Sequence, residues 1–235
     1  MLYERTLGLV SVVITCHNIS SFIKECLDGL LKQTYCNIEV ILVNDASSDD
    51  TSQVIKEWIE RNNPPFSVEI IDLPRNVGFA GALTTGYFLS KGEYIAVHDG
   101  DDISHPERLE KQVCYLQEHS EIDVLGSSYA YFHDGDFQEF KKENWLRYGK
   151  SIRELYAKGG HCVCHGTLLF RGEVFDKIGG PTRRIKGAED YEFIAKCLNA
   201  KLNVENLPDV LYYYRFHSKQ RSQQFYRKEA TKDEQ

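Results

Sequence analysis

The sequence predicts a single α/β domain with a mostly parallel central sheet, helices on both faces of that sheet and a mixed C-terminal half. Two observations support this prediction. Apolar, β-branched segments alternate with amphipathic helical segments through residues 1–104, which is typical of a parallel sheet covered by helices. After that point the alternation breaks, yet no linker or internal repeat divides the 235-residue chain. A chain of this length is within the usual range for one α/β unit.

Strands and helices alternate in the first half. The strand segments are rich in β-branched apolar residues, as expected of strands buried on both faces, and the helix segments repeat apolar residues at helical spacing. The predicted strands are Gly8–Thr15, Ile38–Asn44, Val68–Leu73 and Tyr94–His98. The predicted helices are Phe22–Gln33, a segment around Val54, Ile55, Trp58 and Ile59, and Phe79–Leu89.

The second half mixes shorter elements. Pro106 is typical of a helix first turn, and that helix continues through Leu116. The remaining predictions are a strand Asp123–Ser128, a hairpin Tyr129–Phe140, a strand Gly166–Arg171, helices Glu173–Ile178 and Tyr191–Leu198, and strands near Leu202–Asn206 and Val210–Phe216. From Gln220 the chain is polar, so we expect a solvated tail over 220–235 and a domain over 1–219.

Composition argues against several classes of protein. The net charge of -7 provides no overall positive field to hold nucleic acid. The longest apolar runs fall far short of the roughly 20 residues that cross a bilayer, and Met1–Thr6 lacks the plan of a signal peptide. Seven cysteines, an odd number, suit reduced thiols better than a disulfide framework. We therefore expect a cytoplasmic protein that does not bind nucleic acid.

Polar residues follow each of the four predicted strands of the first half. Ligands of open α/β sheets bind beyond the carboxyl ends of the strands, so we expect these residues to face one crevice. The strand ends are Thr15-Cys16-His17-Asn18, Asn44-Asp45, Pro74-Arg75-Asn76 and His98-Asp99-Gly100-Asp101-Asp102. The first strand-helix turn has no glycine and the chain has no Walker A motif, which argues against a Rossmann dinucleotide site and a P-loop.

The fourth of these strand ends is strongly acidic. Asp99, Asp101 and Asp102 stand within four residues and repel one another unless a cation lies among them, and their hard oxygens suit Mg²⁺ or Mn²⁺. Such ions often complete their coordination with phosphate oxygens of a substrate, which indicates a nucleotide diphosphate. The alternative is a solvated acidic turn, since Asp and Gly are ordinary turn residues. The position at a strand end favours the functional interpretation.

Six motifs, in order along the chain, resemble those of the family 2 glycosyltransferases. They are Ser11–Asn18, Val43–Thr51, Arg75–Gly78 with Ala80 and Ala82, Asp99–Asp102, Gly187–Glu192 and Tyr214–His217. The resemblance implies a GT-A fold with a nucleotide-binding half (1–104) and an acceptor-binding half (105–219). It also implies transfer of a sugar from a nucleotide diphosphate donor to an acceptor. One departure is His17, where the family commonly has a tyrosine.

The resemblance implies which residues bind the donor. Asp45 would accept a hydrogen bond from the base, Arg75 would lie beside the base or the phosphates, and Asp99 would bind the ribose. A carboxylate at position 45 suits the N–H of uracil, so a UDP-sugar is the expected donor, with a guanine edge as the alternative partner of Asp45. The full predicted set is Thr15, His17, Asn18, Asp45, Arg75 and Asp99.

The resemblance also implies the catalytic residues. Asp99-Gly-Asp-Asp102 is similar to the metal-binding DXD motif, so Asp101 would hold the metal, and His217 would reach the same metal or the diphosphate. A surface histidine is the alternative for His217, because hard cations prefer oxygen. Asp190 would be the general base of an inverting single displacement. Glu189 is the competing candidate, and on a helix we expect only one of the two to face the crevice.

Other interpretations remain open. A non-catalytic nucleotide-sugar-binding module would have the same acidic residues. A sugar-1-phosphate nucleotidyltransferase would need a glycine-rich, basic loop after the first strand, which Cys16-His17-Asn18 does not offer. A zinc site at His161-Cys-Val-Cys-His165 is disfavoured, because a strand would place the cysteines and the histidines on opposite faces.

The acceptor side is less defined by the sequence. The resemblance leaves a carbohydrate or a lipid-linked glycan as the acceptor. Basic and aromatic residues alternate over Arg215–Lys228, so this segment could contact an anionic membrane surface. A solvated, fraying terminus is the alternative.

Overall fold

The computed structural model describes residues 3–137, 139–182 and 187–222. The strands in these residues are β1 (Thr6–Cys16), β2 (Ile38–Asn44), β3 (Ser67–Asp72), β4 (Gly92–Asp99), β5 (Ile103–Ser104), β6 (Val124–His133), β7 (Lys141–Lys142), β8 (Leu169–Arg171) and β9 (Val204–Phe216). The helices are α1 (Ile23–Leu31), α2 (Thr51–Asn62), α3 (Phe79–Leu89), α4 (Arg108–Glu118), α5 (Lys150–Tyr156), α6 (Gly172–Ile178) and α7 (Glu189–Asn199). A 3-10 turn, His165–Thr167, precedes β8.

The strands form one sheet in the order β3-β2-β1-β4-β8-β6-β9-β5, with β7 beside β6. The first four strands of this order are mutually parallel. Strand β8 then runs antiparallel to both β4 and β6, whereas β6 and β9 are parallel. The prediction of one α/β domain, parallel in its first half and mixed in its second, is confirmed.

Helices cover both faces of the sheet. Val12 and Ile14 of β1 pack in a core with side chains of α1, α2 and α4. Val13, which points to the opposite face, packs in a second core with side chains of α3, α5, α6 and α7. Because neither face of β2, or of β1 from Val10 onward, meets water, their sequences are apolar at successive positions, whereas the edge strand β3 alternates with exposed positions.

In the second half, the bounds and the number of elements differ from the sequence prediction. Strand β6 continues through the first part of the predicted hairpin Tyr129–Phe140, and the return strand β7 lies beyond Phe140. The two predicted strands near 202–206 and 210–216 are one strand, β9, whose register with β6 shifts around Pro208 and Asp209. Proline cannot donate to the ladder, so it is tolerated in a strand at such a bulge. Helix α5 was not predicted.

The start of the predicted tail packs on the domain. Gln220 is only 5% exposed. Its amide oxygen accepts from the backbone N–H of His217 at 3.1 Å and its amide nitrogen donates to the carbonyl of Arg215. The residues after 222, on which most of the expected membrane contact depends, lie outside the described residues. Among the helices of the described ranges, none is both long and apolar enough to cross a bilayer.

The first testable prediction concerns Gly86, where helix α3 packs closely on strand β1. A Cβ atom on Gly86 would lie 2.3 Å from Cγ1 of Val13, so the helix approaches the strand too closely for any side chain. We expect Gly86→Ala to lower the free energy of unfolding by about 1–3 kcal/mol, since overpacking outweighs the gain in helix propensity. Urea denaturation measures this change. Phe88→Ala is the control in the same helix, and its 72% exposed side chain should change stability by less than about 0.5 kcal/mol.

Candidate active site

A cleft of about 970 Å³ opens at the carboxyl ends of β1, β2 and β4. Its walls also include the start of α3, the start of α7 and the segment after β9. The predicted site residues that line it are Thr15, His17, Asn18, Asp45, Asp99, Asp101, Asp190 and His217. Arg75 does not join them; it is exposed, and Asn76 lines the cleft instead. The strand ends therefore converge as the topology predicts.

Asp45 holds the turn that leads into α3. It is 4% exposed, and its two carboxylate oxygens accept the backbone N–H groups of Val77 and Gly78 at 2.6 and 2.9 Å. Gly78 has φ +81°, a conformation that favours glycine. The backbone carbonyl of Asp45 also lies 2.9 Å from Nδ1 of His17. The sequence analysis predicted a nucleobase contact for Asp45 but did not predict these hydrogen bonds to the backbone of Val77 and Gly78.

The acidic turn after β4 is partly buried. Asp102 is fully buried and accepts the backbone N–H of Arg215 at 2.8 Å. Burial, with the charge of Asp101 added, raises the pKa of both Asp99 and Asp102. A Cβ on Gly166 would lie 2.8 Å from Oδ2 of Asp99, so glycine leaves room for that carboxylate. The turn therefore favours a bound proton or cation.

Arg215 ties strand β9 to this turn. Its side chain is 1% exposed, its Nε donates to the carbonyl of Asp101 at 2.7 Å, and its Nη1 donates to Asp134 at 2.7 Å. Nη2 pairs with Glu25 at 2.5 Å. The guanidinium also lies over the Phe132 ring, 4.9 Å from its centroid. Arg215 belongs to the predicted motif Tyr214–His217. The hydrogen-bond partners of its side chain are distant in sequence, so the motif alone did not predict them.

The two predicted metal ligands are neighbours. Nε2 of His217 lies 2.9 Å from Oδ2 of Asp101, and the imidazole packs on Phe22 with ring centroids 4.2 Å apart. Across the described ranges no group of three or more potential ligands occurs. A pair of protein ligands fits Mg²⁺ or Mn²⁺, since such ions can take their remaining ligands from water and substrate phosphates.

Asp190 lies in the first turn of α7. Its Oδ1 accepts the backbone N–H of Tyr191 at 2.7 Å, and its Oδ2 lies 3.2 Å from Nε2 of His161. Burial raises the pKa of Asp190, but the groups around it, the hydrogen bond from His161 first among them, outweigh burial and lower the pKa to about 2. Asp190 is therefore ionised, and its side chain is still 39% exposed. An ionised, accessible carboxylate can accept a proton.

Glu189 is engaged elsewhere. One of its carboxylate oxygens accepts the backbone N–H of Gly187 at 2.8 Å, and the other pairs with Arg221. The expectation that only one of Glu189 and Asp190 faces the crevice was wrong, since both line it. Glu189 is buried, with its side chain 6% exposed, whereas the side chain of Asp190 is 39% exposed. Their partners, and not their direction alone, distinguish them.

Comparison with known proteins agrees with this geometry. The sequence profile of the family "Glycosyl transferase family 2" matches residues 11–179. The chain belongs to glycosyl transferase family 2. The putative glycosyltransferase EpsE of Bacillus subtilis (strain 168) is 31% identical to this glycosyltransferase over 207 residues, which are 86% of this chain and 71% of EpsE.

Two solved structures share the fold of this family 2 glycosyltransferase. S. aureus TarS 1-349, in complex with UDP, superposes with a TM-score of 0.70 at 23% identity over 88% of this chain and 60% of the TarS chain. The mannosyltransferase PcManGT of Pyrobaculum calidifontis, in complex with GDP-Man and Mn²⁺, gives a TM-score of 0.67 at 20% identity over 89% of this chain and 57% of its own. The chain spans about three fifths of each. These matches confirm the GT-A fold.

His161 is the residue beside Asp190 in this glycosyltransferase that the sequence analysis did not assign to the site. Residues 161–164 form an irregular segment and not the strand that was assumed for them. This shape turns His161 toward Asp190, where it lines the cleft beside His165. Burial lowers the pKa of His165 to about 4, so His165 is neutral. The only signal in the sequence was a histidine four residues from another, which was considered as a zinc site and disfavoured.

The second testable prediction concerns the hydrogen bonds between Asp45 and the turn that leads into α3. In Asp45→Asn the amide nitrogen cannot accept, so either Val77 or Gly78 loses its hydrogen bond to this side chain. The Gly78 N–H has a second acceptor, Oδ1 of Asn76 at 3.0 Å, whereas the Val77 N–H, among the described residues, bonds only to Asp45. We expect the ligand-free variant to lose about 1–3 kcal/mol of unfolding free energy by urea denaturation. Asp50→Asn is the control, because Asp50 is exposed and makes no capping hydrogen bond. An Asp45→Asn protein of unchanged stability would contradict this structural role.

Proposed function

We propose that this enzyme transfers a sugar from a nucleoside diphosphate sugar to an acceptor hydroxyl with inversion of the anomeric centre, and that Asp190 is the general base. The observation that carries the proposal is the placement of Asp190. It is ionised and accessible in the same cleft as Asp99, Asp101 and His217. A donor bound at the strand ends and an acceptor bound beside α7 would meet in that cleft.

The proposed reaction is a single displacement. The acceptor oxygen forms a bond to the anomeric carbon while its proton moves to Asp190, and the bond from that carbon to the diphosphate oxygen breaks. A retaining reaction through a covalent intermediate would need a second carboxylate as nucleophile. Glu189, the adjacent carboxylate, is already paired with Arg221 and the Gly187 N–H. This pairing supports the inverting course.

We propose that Asp101 and His217 hold a divalent cation, Mg²⁺ or Mn²⁺. Their 2.9 Å contact on the cleft wall and their donor types support this assignment. The Mn²⁺ in the PcManGT complex supports it from a protein of the same fold. When bound, such a cation neutralises the negative charge of a departing diphosphate.

We propose UDP as the nucleotide. TarS structures contain UDP and UDP-GlcNAc, and a carboxylate at Asp45 suits the uracil N–H. PcManGT, with the same fold, binds GDP-Man, so the base has to be tested directly. Asp45 lines the cleft, and each of its carboxylate oxygens has lone-pair capacity beyond the one backbone N–H it accepts.

We propose a carbohydrate acceptor, free or lipid-linked, and a cytoplasmic site of action. Aromatic side chains line the cleft, and flat aromatic faces suit the apolar faces of sugar rings. They are Tyr129, Trp145 and Tyr214. The indole N–H of Trp145 donates to the hydroxyl of Tyr129 at 2.8 Å, which fixes both rings.

The third testable prediction concerns Asp190. Incubation with a panel of nucleotide sugars, Mn²⁺ and glycans, followed by mass spectrometry, identifies the reaction. Asp190→Asn should keep its affinity for UDP but lose roughly 10²–10⁴-fold in turnover, the usual contribution of a positioned proton acceptor. Glu189→Gln is the matched control and should lose less.

Two results would contradict this assignment. One is a near-normal turnover of Asp190→Asn; the other is a product that keeps the donor's anomeric configuration by NMR. Donor binding with no release of nucleoside diphosphate by the unmodified protein, for every donor and acceptor tested, would favour the non-catalytic alternative.

The fourth testable prediction concerns the metal and the base. Calorimetry should show that UDP binds more tightly than GDP and that Mn²⁺ strengthens this binding. Asp101→Ala should abolish the Mn²⁺-dependent part. The backbone carbonyl that Arg215 uses is unchanged in this variant, so we expect it to fold. Asp209→Ala, which removes an exposed carboxylate outside the cleft, is the control. Tighter GDP binding would refute the uridine assignment, and an unchanged Mn²⁺ effect in Asp101→Ala would refute the metal ligand.

A further inference from the structure

A chain of three polar side chains runs from the core to the base. The hydroxyl of Tyr156 lies 2.5 Å from Nδ1 of His161, and Nε2 of the same ring lies 3.2 Å from Oδ2 of Asp190. The rings of Trp145 and Tyr191 pack against the imidazole with centroids 5.2 and 6.1 Å away. The imidazole is thus held by packing and by hydrogen bonds at both nitrogens.

The Asp190 carboxylate determines which nitrogen of His161 carries the proton. An ionised carboxylate only accepts, so Nε2 is the donor in the contact with Oδ2, and Nδ1 is left to accept from the Tyr156 hydroxyl. Burial raises the pKa of Tyr156 above its ordinary value, so the hydroxyl keeps its proton and can donate it to Nδ1. A neutral imidazole that accepts at Nδ1 has its proton on Nε2. His161 in this tautomer donates a hydrogen bond to Asp190.

We propose that His161 is a positioning residue that fixes the Asp190 carboxylate for proton transfer by donating its Nε2–H to Oδ2. The inference rests on the proposed function, in which Asp190 is the base. During transfer the acceptor proton moves to Asp190, the new C–O bond forms and the bond to the diphosphate breaks. His161 keeps its Nε2 proton throughout, so no other proton has to move.

The same hydrogen bond keeps Asp190 ionised. Other titratable or charged groups also face this pair from the surrounding elements: Asp99, Tyr156, Cys164, His165, Glu189, Tyr191 and Arg221. Among the groups that lower the pKa of Asp190, His161 has the largest effect. Loss of the Nε2–H should therefore raise the pKa of Asp190 and shift the acid limb of the pH profile upward.

The test compares four variants with the unmodified enzyme. His161→Phe keeps the ring packing but removes the donor, and should lose roughly 10- to 100-fold in kcat through misplacement of the base. The KM for the donor sugar should not change, because His161 acts on the acceptor side. His161→Gln, whose amide can donate in place of Nε2–H, should recover most of kcat. Tyr156→Phe should lower kcat less than His161→Phe. His119→Phe changes an exposed histidine outside the cleft and should leave kcat unchanged.

The outcomes separate this proposal from the function on which it rests. A wild-type kcat and an unshifted acid limb in His161→Phe, with Asp190→Asn inactive, would overturn the role of His161 alone. Normal turnover in Asp190→Asn would overturn the function itself. If thermal melting shows that His161→Phe does not fold, His161→Gln and Tyr156→Phe decide the matter: a kcat drop in Tyr156→Phe supports the proposal. Wild-type kcat in Tyr156→Phe, or a His161→Gln loss as large as that of Asp190→Asn, refutes it.

Discussion

Two buried guanidinium groups support the acidic turn at the end of β4, and the geometry of the cleft depends on them. Arg108 is fully buried and donates to the carbonyls of Val97 and Leu168 from beneath the turn. Arg215 approaches from strand β9 and donates to the carbonyl of Asp101. Burial lowers the pKa of Arg108 to about 10, so it is still charged at neutral pH. An uncompensated buried charge costs several kcal/mol. Arg215 is compensated by ion pairs with Glu25 and Asp134. Arg108 instead donates to neutral acceptors and is further stabilised by the nearby charge of Asp99.

In this arrangement, two carboxylates of the acidic turn remain accessible from the cleft. Asp102 is enclosed, whereas Asp99 and Asp101 line the cleft. The raised pKa of Asp99 shows that its environment favours neutralisation of the carboxylate. A site of this kind binds a cation or hydrogen-bond donors more readily than an anion, so a diphosphate would bind there with its counterion.

The opposite wall has a different electrostatic character. The Asp190 carboxylate accepts hydrogen bonds from both sides and stays ionised, while His165 beside it is neutral. One wall follows the ends of parallel strands β1, β2 and β4, and the other comes from helix α7 and the segment before β8. The cleft thus contains one carboxylate with a raised pKa and another with a lowered pKa. Under the proposed function, this difference would let the donor end and the acceptor end of the cleft play different parts.

The sequence by itself determined the alternation of strands and helices in the first half and the convergence of polar residues at the strand ends. Apolar periodicity records which faces are buried, and parallel strands with helical crossovers bring their carboxyl ends to one edge, so Asp45, Asp99 and Asp101 had to meet. Only the tertiary structure decided their partners. Arg215 pairs with Glu25 across 190 residues of sequence, and β9 stays a single strand through Pro208 because β6 accommodates the bulge. The Tyr156-His161-Asp190 chain likewise depends on an irregular segment and two helix ends. Local periodicity contains no information about which distant side chain completes a hydrogen bond, because that choice is made only when the elements pack.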